Sequence, residues 1–497
     1  MAVLRLGLRA PLDVFTPKEA FMASEHHFPR FHVRPPSGYV NDPNGPIRIG
    51  ERWHLYFQYV ADTERRGGVV WGHASSPDLA RWTMHRPALS PDPDGADRDG
   101  CWSGTTVLDG DEVVALYSGF RHEHPYQSVL AARSVDGGHS FGPPQQVADD
   151  PAPQDGVDQF RDPFVWKDGD GWLMVAGAGN RSGRPAARLY SSPDLQTWTF
   201  EGHYAELIRA DVSAEDVGDM WECPQVVSFG DRDALLVSTM DLHGGGIGKV
   251  LALTGRRDGL RQRDPRVSRA DFGPNFYAAS ALRDGTRPIV WGWVTEGRSG
   301  ESAVAANWSG LLSLPRAVSL AEDGRLASAP LDALQDLRVE PIAATAGAGT
   351  TMVDDLPAQF EADLDLHGSS GETRLSLRCG EEHLDIVLDW TAGTITIDRD
   401  HASLDPSAEE GGYPFEEPAL RERGSVSLRW YVDGSVSELF TGSGRCATAR
   451  FYPTTPPPWR LQITGSTGSD TIRVWRLADR HESDRHSDES RGGVRTG

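Results

Sequence analysis

The 497-residue chain is poor in three things. Its four cysteines, Cys101, Cys223, Cys379 and Cys446, stand far apart with no C-x-x-C pair. That spacing implies neither a disulfide framework nor a zinc site. No apolar run approaches the roughly 18 residues that a spanning helix needs. Basic residues are scarce beside acidic ones: 49 Lys and Arg against 72 Asp and Glu leave a net charge of −23. A surface of that sign argues against general affinity for nucleic acid or anionic membrane. The opening "MAVLRLGLRAPLDVFTPKEAF" has an apolar stretch broken by arginine and no small-residue cleavage site. Residues 1–25 are therefore read as an N-terminal extension of a cytoplasmic protein, not as an export signal.

Helical periodicity is also nearly absent, and in its place is a weak repeat. "SSPDLARW", "SVDGGHSF" and "SSPDLQTW" place Asp78, Asp136 and Asp194 at steps of 58. Five strands rich in apolar residues, "WHLYFQYV", "VVALYSGF", "WLMVAGAG", "ALLVSTMD" and "PIVWGWVT", follow turns at Gly50, Gly110, Gly169, Gly230 and Gly285, at steps of 60, 59, 61 and 55. A unit of about 60 residues holds four strands with their turns, so five units predict a five-bladed β-propeller over 26–338. A generic β-sandwich is the competing reading, and it has no reason for one shared period.

Past residue 330 the pattern changes. "APLDALQDLRVE" reads as a short helix, and "PIAATAGAGTTMVDDLP" as a connector of small residues. Alternating strands from "FEADLDL" to "IRVWRL", with a hairpin signal at Asp433–Gly434, predict a C-terminal β-sandwich over 339–478. The charged stretch 479–497, which carries His481 and His486, reads as a disordered, solvated tail.

Counting 60 residues forward from Asp42, in "GYVNDPNGPI", reaches Trp102, then Asp162 in "FRDPFVW", then Glu222 in "WECPQVV". The first strand of each propeller blade lines the central channel, so equivalent positions converge at one mouth. One Asp among Asn, Pro and Gly is ordinarily a turn residue; three converging carboxylates suggest a site. Cleavage of a glycosidic bond with retention needs a nucleophile and a proton donor about 5 Å apart. On that reading Asp42 stays ionised, held by backbone N–H groups and the Asn41 region, and Glu222, between Trp221 and Cys223, is kept neutral at about pH 6. Trp71, Trp102, Trp221 and Trp293 offer apolar walls for a sugar, with at least one expected in the core.

"NDPNG", "WSGT", "FRDP", "WECP", "WGHASSPDLARW", "LLSLPR" and "DGSVSELF" together resemble glycoside hydrolase family 32, the invertase and fructan hydrolase family, over roughly residues 26 to 465. The resemblance implies hydrolysis of β-fructofuranosidic bonds through a covalent fructosyl-enzyme, with no cofactor and no metal. By position, Asp42 resembles the nucleophile, Glu222 the acid/base, and Asp162 the carboxylate that holds fructose hydroxyls, with Arg161 beside it. Asn41, Gln58, Ser103 and Trp293 match pocket positions. Tyr39-Val40 stands where the family commonly has Trp-Met, and Arg65 and Arg66 stand where many relatives carry an aromatic on the leaving-group side. Asp433 and Glu438 are assigned a structural role.

The expected partner is thus a small carbohydrate, sucrose or a short fructan. The alternatives are sucrose 6-phosphate, levan or inulin, or fructosyl transfer. An inverting arabinanase-like propeller and a silent sugar-binding propeller are the rivals from other classes.

Overall fold

The computed structural model describes residues 26–65, 68–124, 126–208, 216–283, 287–347 and 349–478. The N-terminal extension, Arg66, Gly285 and the tail histidines His481 and His486 lie outside the described residues.

Five antiparallel units follow one another. Blade 1 is β1 (Gly38–Ile49), β2 (Arg52–Val60), β3 (Val70–Ser76) and β4 (Thr83–Leu89). Blade 2 is β5 (Gly100–Asp109), β6 (Glu112–Phe120), β7 (Ser128–Ser134) and β8 (Gln145–Gln146). Blade 3 is β9 (Gln159–Asp168), β10 (Gly171–Gly179), β11 (Ala186–Ser192) and β12 (Thr199–Glu206), and blade 4 is β13 (Met220–Phe229), β14 (Arg232–Met240), β15 (Ile247–Asp258) and β16 (Arg261–Arg269). Blade 5 starts with β17 (Phe276–Leu282) and β18 (Ile289–Val294). The chain then lays β19 (Trp308–Ser309) parallel to β1, pairs β20 (Leu311–Leu312) with β18, and completes the blade with β21 (Arg316–Leu320) and β22 (Leu326–Pro330).

The innermost strands touch in the cyclic order β1, β5, β9, β13, β17 and back to β1, so the ring is closed. The second strands read as apolar runs because both faces of each blade are covered by its neighbours. Tyr56 and Trp71 of blade 1 pack on Val113 and Tyr117 of blade 2, and Leu282 and Trp291 of blade 5 pack on Leu55 and Phe57 of blade 1. The repeated sequence motifs are the turns between these strands. Gly50, Gly110, Gly169 and Gly230 all have positive φ between a first and a second strand. In "SSPDL", Ser76 Oγ accepts the Leu79 N–H at 2.8 Å and Asp78 Oδ1 accepts the Ala80 N–H at 2.9 Å; Ser192 and Asp194 repeat the arrangement.

The later strands form a six-stranded and a seven-stranded sheet packed face to face over Leu364, Leu377, Ile386, Trp430, Leu439 and Leu461. Two expectations change here. The predicted short helix is a 3-10 turn at Asp332–Leu337. The predicted connector contains a hairpin, Ala344–Gly347 with Thr350–Leu356, which pairs onto Trp459–Thr464. Its small residues carry little apolar signal because the hairpin lies at a sheet edge, where backbone pairing holds it. No helix among the described residues is long and apolar enough to cross a membrane.

Candidate active site

The axial side chains are aimed by a β-bulge that recurs in all five innermost strands. Asn41 and Asp42 together oppose Gln58, Trp102 and Ser103 oppose Ser118, Asp162 and Pro163 oppose Ala176, Cys223 and Pro224 oppose Val237, and Ala278 and Ala279 oppose Gly292. An extra residue bends the strand and re-aims its side chains, which is how a regular ladder delivers functional groups to an axis. In blades 3 to 5 the first bulge residue is left-handed: φ is 61° at Asp162, 47° at Cys223 and 48° at Ala278. None of these is a glycine, so each stores backbone strain that its surroundings must hold. The bulges also correct the count of 60. Glu222 precedes its bulge, Asp162 is first in its own, and Asp42 is second, so the three carboxylates occupy successive rather than identical positions.

Around Asp42 the contacts are short. Its Oδ2 accepts from Ser103 Oγ at 2.5 Å and Gln58 Nε2 at 3.2 Å, and the Cys223 sulfur lies 3.6 Å away. Gln58 is buried and also accepts from Asn41 Nδ2 at 3.0 Å, so it ties Asn41, Asp42 and Ser103 into one unit. Asp162 Oδ2 accepts the Cys223 N–H at 3.0 Å and is likewise 3.6 Å from the Cys223 sulfur, while the Asp162 N–H donates to Ser118 Oγ at 2.7 Å. Glu222 lies on the neighbouring strand. Arg161 Nε donates to its Oε1 at 3.0 Å, and the Tyr277 hydroxyl is 2.6 Å from its Oε2. Arg161 is itself buried and fixed by Gln159 Oε1 at 2.6 Å and Gln127 Oε1 at 3.2 Å.

Burial pushes the Asp42 carboxyl up to about 7; the charges of Asp162 and Glu222 add to the push, and the Ser103 hydrogen bond opposes it. Burial raises Asp162 as well, against the pull of Arg161. The expectation that Asp42 is held ionised by backbone N–H groups is therefore corrected. Its partners are side chains, and its burial beside two other carboxylates outweighs them. Asp42 and Asp162 are both raised, each partly by neighbouring carboxylate charge, so their protonation is linked.

Of the aromatic residues, Trp102 and Trp293 keep partial exposure. Trp102 lies against Phe120 at a centroid distance of 4.5 Å, and Trp293 is edge-on to both Tyr39 and Tyr277. Trp71 and Trp221 are fully buried and offer no wall to a sugar. Trp71 donates its indole N–H to the Trp102 carbonyl at 2.9 Å from the wedge between blades 1 and 2, and Trp221 donates to the Val217 carbonyl at 3.0 Å. Tyr277 and Ser118 were missed by sequence reasoning. The fifth blade has no carboxylate at its bulge, so a count that followed carboxylates stopped at the fourth; extending it by the last glycine step of 55 reaches Tyr277.

The glycosyl hydrolases family 32 N-terminal domain matches residues 32–330, and the family's C-terminal domain matches residues 334–476. The chain belongs to glycoside hydrolase family 32. It is a glycosidase acting on O-glycosidic bonds, with the retaining fructofuranosidase chemistry of that family. Among its relatives are a sucrose-6-phosphate hydrolase of Zymomonas mobilis, 30% identical with 92% of this chain and 94% of the relative covered, and a raffinose invertase of Escherichia coli, 29% identical with 86% and 90% covered. The fold is shared with a sucrose-6-phosphate hydrolase structure from Lactobacillus gasseri at a TM-score of 0.78, with 23% identity and 93% and 95% of the two chains covered.

Proposed function

We propose that this enzyme releases fructose from sucrose 6-phosphate, and from sucrose less efficiently. The Asp42 carboxylate attacks the anomeric C2 of the fructosyl unit as the C2–O bond breaks and Glu222 passes its proton to the departing oxygen. Water then gives a proton to Glu222 and its oxygen to C2, and Asp42 leaves. Asp162 and Arg161 hold fructose hydroxyls, Trp102 and Trp293 flank the ring, and Asn41, Gln58 and Ser103 position the nucleophile. The Tyr277 hydroxyl supports the acid role for Glu222. It is 2.6 Å from Glu222 Oε2 and 2.9 Å from the Thr239 carbonyl, and its single proton cannot serve both. A proton on Glu222 satisfies all three groups.

The observation that carries the choice of substrate is Arg65. It is exposed, its guanidinium lies 3.8 Å from the Tyr39 ring centroid, and Tyr39 in turn meets Trp293 edge-on. Arg65 makes no ion pair among the described residues, so a charged fork stands uncommitted on the aromatic rim of the pocket. The relative from Zymomonas mobilis supports the same reading. A phosphorylated sugar is met inside cells, in keeping with a cytoplasmic enzyme.

The test compares kcat/KM for sucrose 6-phosphate and sucrose in the wild type and in Arg65→Ala. A lost charge-assisted hydrogen bond is worth about 1.5–3 kcal/mol, so the variant is expected to lose roughly tenfold or more on the phosphorylated substrate alone. Preference of the wild type for unphosphorylated sucrose, 1-kestose or inulin would overturn the substrate and leave the three carboxylates in their roles.

A further inference from the structure

A second cluster of chemistry-bearing side chains lies away from the axis, at the junction of blades 1 and 2. His54 is on β2, His73 on β3 and His85 on β4, and His139 comes from the turn after β7. His73 is completely buried, His54 nearly so, His85 half-buried and His139 exposed. One ring nitrogen from each of His73, His85 and His139 lies within 4.8 Å of the other two. The centroid of the His73 ring is 4.6 Å from that of His85 and 5.2 Å from that of His139.

The turn that carries His139 is built to come this close. Gly138 has φ of +80°, and its carbonyl accepts from the Tyr56 hydroxyl at 2.8 Å; a Cβ at that position would stand 2.2 Å from the same hydroxyl oxygen. Only glycine lets the blade 2 turn lie on Tyr56, whose ring stacks on His73 at 4.8 Å.

The cluster can present a bare lone pair to an electron-pair acceptor. His73 Nε2 is 2.9 Å from His54 Nδ1, and one proton serves that contact. With the proton on His73 Nε2, Nδ1 of His73 is a bare lone pair, and this atom is buried with no hydrogen-bond partner. A buried polar atom left unpaired costs about 1–3 kcal/mol and calls for an explanation. His85 Nε2 is 2.8 Å from Ser75 Oγ, the oxygen that also receives Arg52, so a second ring is anchored through one nitrogen. Metal-ligating histidines typically anchor their other nitrogen this way.

We propose that His73, His85 and His139 form a binding site for a borderline divalent transition-metal ion of the zinc class, fastening blade 1 to blade 2. Three imidazoles and no thiolate or carboxylate suit zinc, copper or nickel rather than calcium or magnesium. Zn–N bonds of about 2.0–2.1 Å in a tetrahedron put ligand atoms about 3.3 Å apart. Closure from 4.8 Å falls to the exposed His139 and half-buried His85, with water as the fourth ligand. The site is on the outer strands, so its effect is on the cohesion of the propeller and not on the glycosidic step.

The test is calorimetric titration of zinc chloride into the EDTA-treated, dialysed full-length enzyme, with the unfolding temperature measured with and without zinc. The expected result is one zinc per chain at micromolar affinity or tighter and a raised unfolding temperature. His139→Ala, an exposed change that leaves fructose release intact, is expected to weaken binding at least tenfold and remove the thermal shift. A His481→Ala/His486→Ala double variant, which removes the tail histidines, is expected to change neither. No zinc binding, or binding that survives in His139→Ala, would overturn the site; binding lost with the tail histidines would assign it to them.

Discussion

The Arg161 guanidinium, on the first strand of blade 3, holds the Glu222 carboxylate of blade 4 at 3.0 Å while two glutamines hold the guanidinium from behind. A planar fork can serve a carboxylate and two amides at once; a lysine ammonium, a point charge on a flexible stem, cannot keep the same geometry. Arg161→Lys is therefore expected to lower kcat on sucrose by about 10²-fold. Glu222→Gln is expected to lower it by roughly 10³-fold or more, in the range of a lost general acid. Because Arg161 acts partly through Glu222, the double variant should cost little more than Glu222→Gln alone. Steady-state kinetics on the three variants check this, and multiplying losses would show that the two residues act separately.

Ser103 gives a second handle on the same centre. Its hydrogen bond to Asp42 favours the ionised carboxylate and so holds the pKa down against burial. Removing it leaves the upward push unopposed, so the acidic limb of kcat/KM should move to higher pH in Ser103→Ala, by about half to one unit for a bond of this class. The pH–rate profile of the variant beside the wild type decides it. A limb that stays in place or moves to lower pH would separate that limb from Asp42.

The raised Asp42 pKa also bears on stability. The folded protein binds a proton at Asp42 up to about pH 7, whereas an unfolded chain releases it near 3.8. The folded state thus holds more protons between those values, and stability falls as pH rises through them. Asp42→Asn removes the charge, so it should raise the unfolding temperature at pH 8 and leave it nearly unchanged at pH 4. The gain is about 2 kcal/mol, after allowance for the solvent that Asp42 still meets. Calorimetric melts at the two pH values test it, and equal shifts at both would remove the linkage.

The features behind this chemistry are unequally visible in the sequence. The propeller was legible because its turns recur: a glycine between first and second strands and a Ser-x-Asp turn between third and fourth need particular residues wherever they occur. The carboxylates were legible as members of distinctive short motifs. Their relative placement was not, because a bulge inserts a residue in each strand and a simple count cannot tell its first position from its second. Trp221 shows a related limit: an aromatic next to a candidate site residue points into the wedge between blades as readily as into the funnel, since alternate residues face opposite sides of a strand. Trp71, on the third strand of blade 1, packs in such a wedge too. The histidine cluster was invisible for a third reason. His54, His73, His85 and His139 have no local spacing, and only packing of two blades brings them together.

The last prediction concerns the joint between propeller and sandwich. His32, in the segment before β1, is buried with its Nδ1 2.8 Å from Asp433 Oδ2 and its Nε2 3.1 Å from Glu438 Oε1; both carboxylates belong to the sandwich. Arg316 of blade 5 meets the other Glu438 oxygen at 2.7 Å and Asp271 at 2.8 Å, so the clasp is a chain of buried charges. Burial opposes charge on His32, but the hydrogen bonds it donates to Asp433 and Glu438 overcome it and lift the imidazole to about 8 from the usual 6.5. A raised histidine contributes stability that is complete below the unfolded value and lost as pH rises through the folded one, here between 6.5 and about 8. The loss across that window should be about 2 kcal/mol. His32→Ala leaves both carboxylates without their shared donor, so it should destabilise the protein at pH 6 by about 3 kcal/mol or more and remove this part of the pH dependence. Unfolding temperatures of wild type and variant from pH 6 to 9 provide the check. Parallel curves would mean that His32 does not carry the charge at this joint.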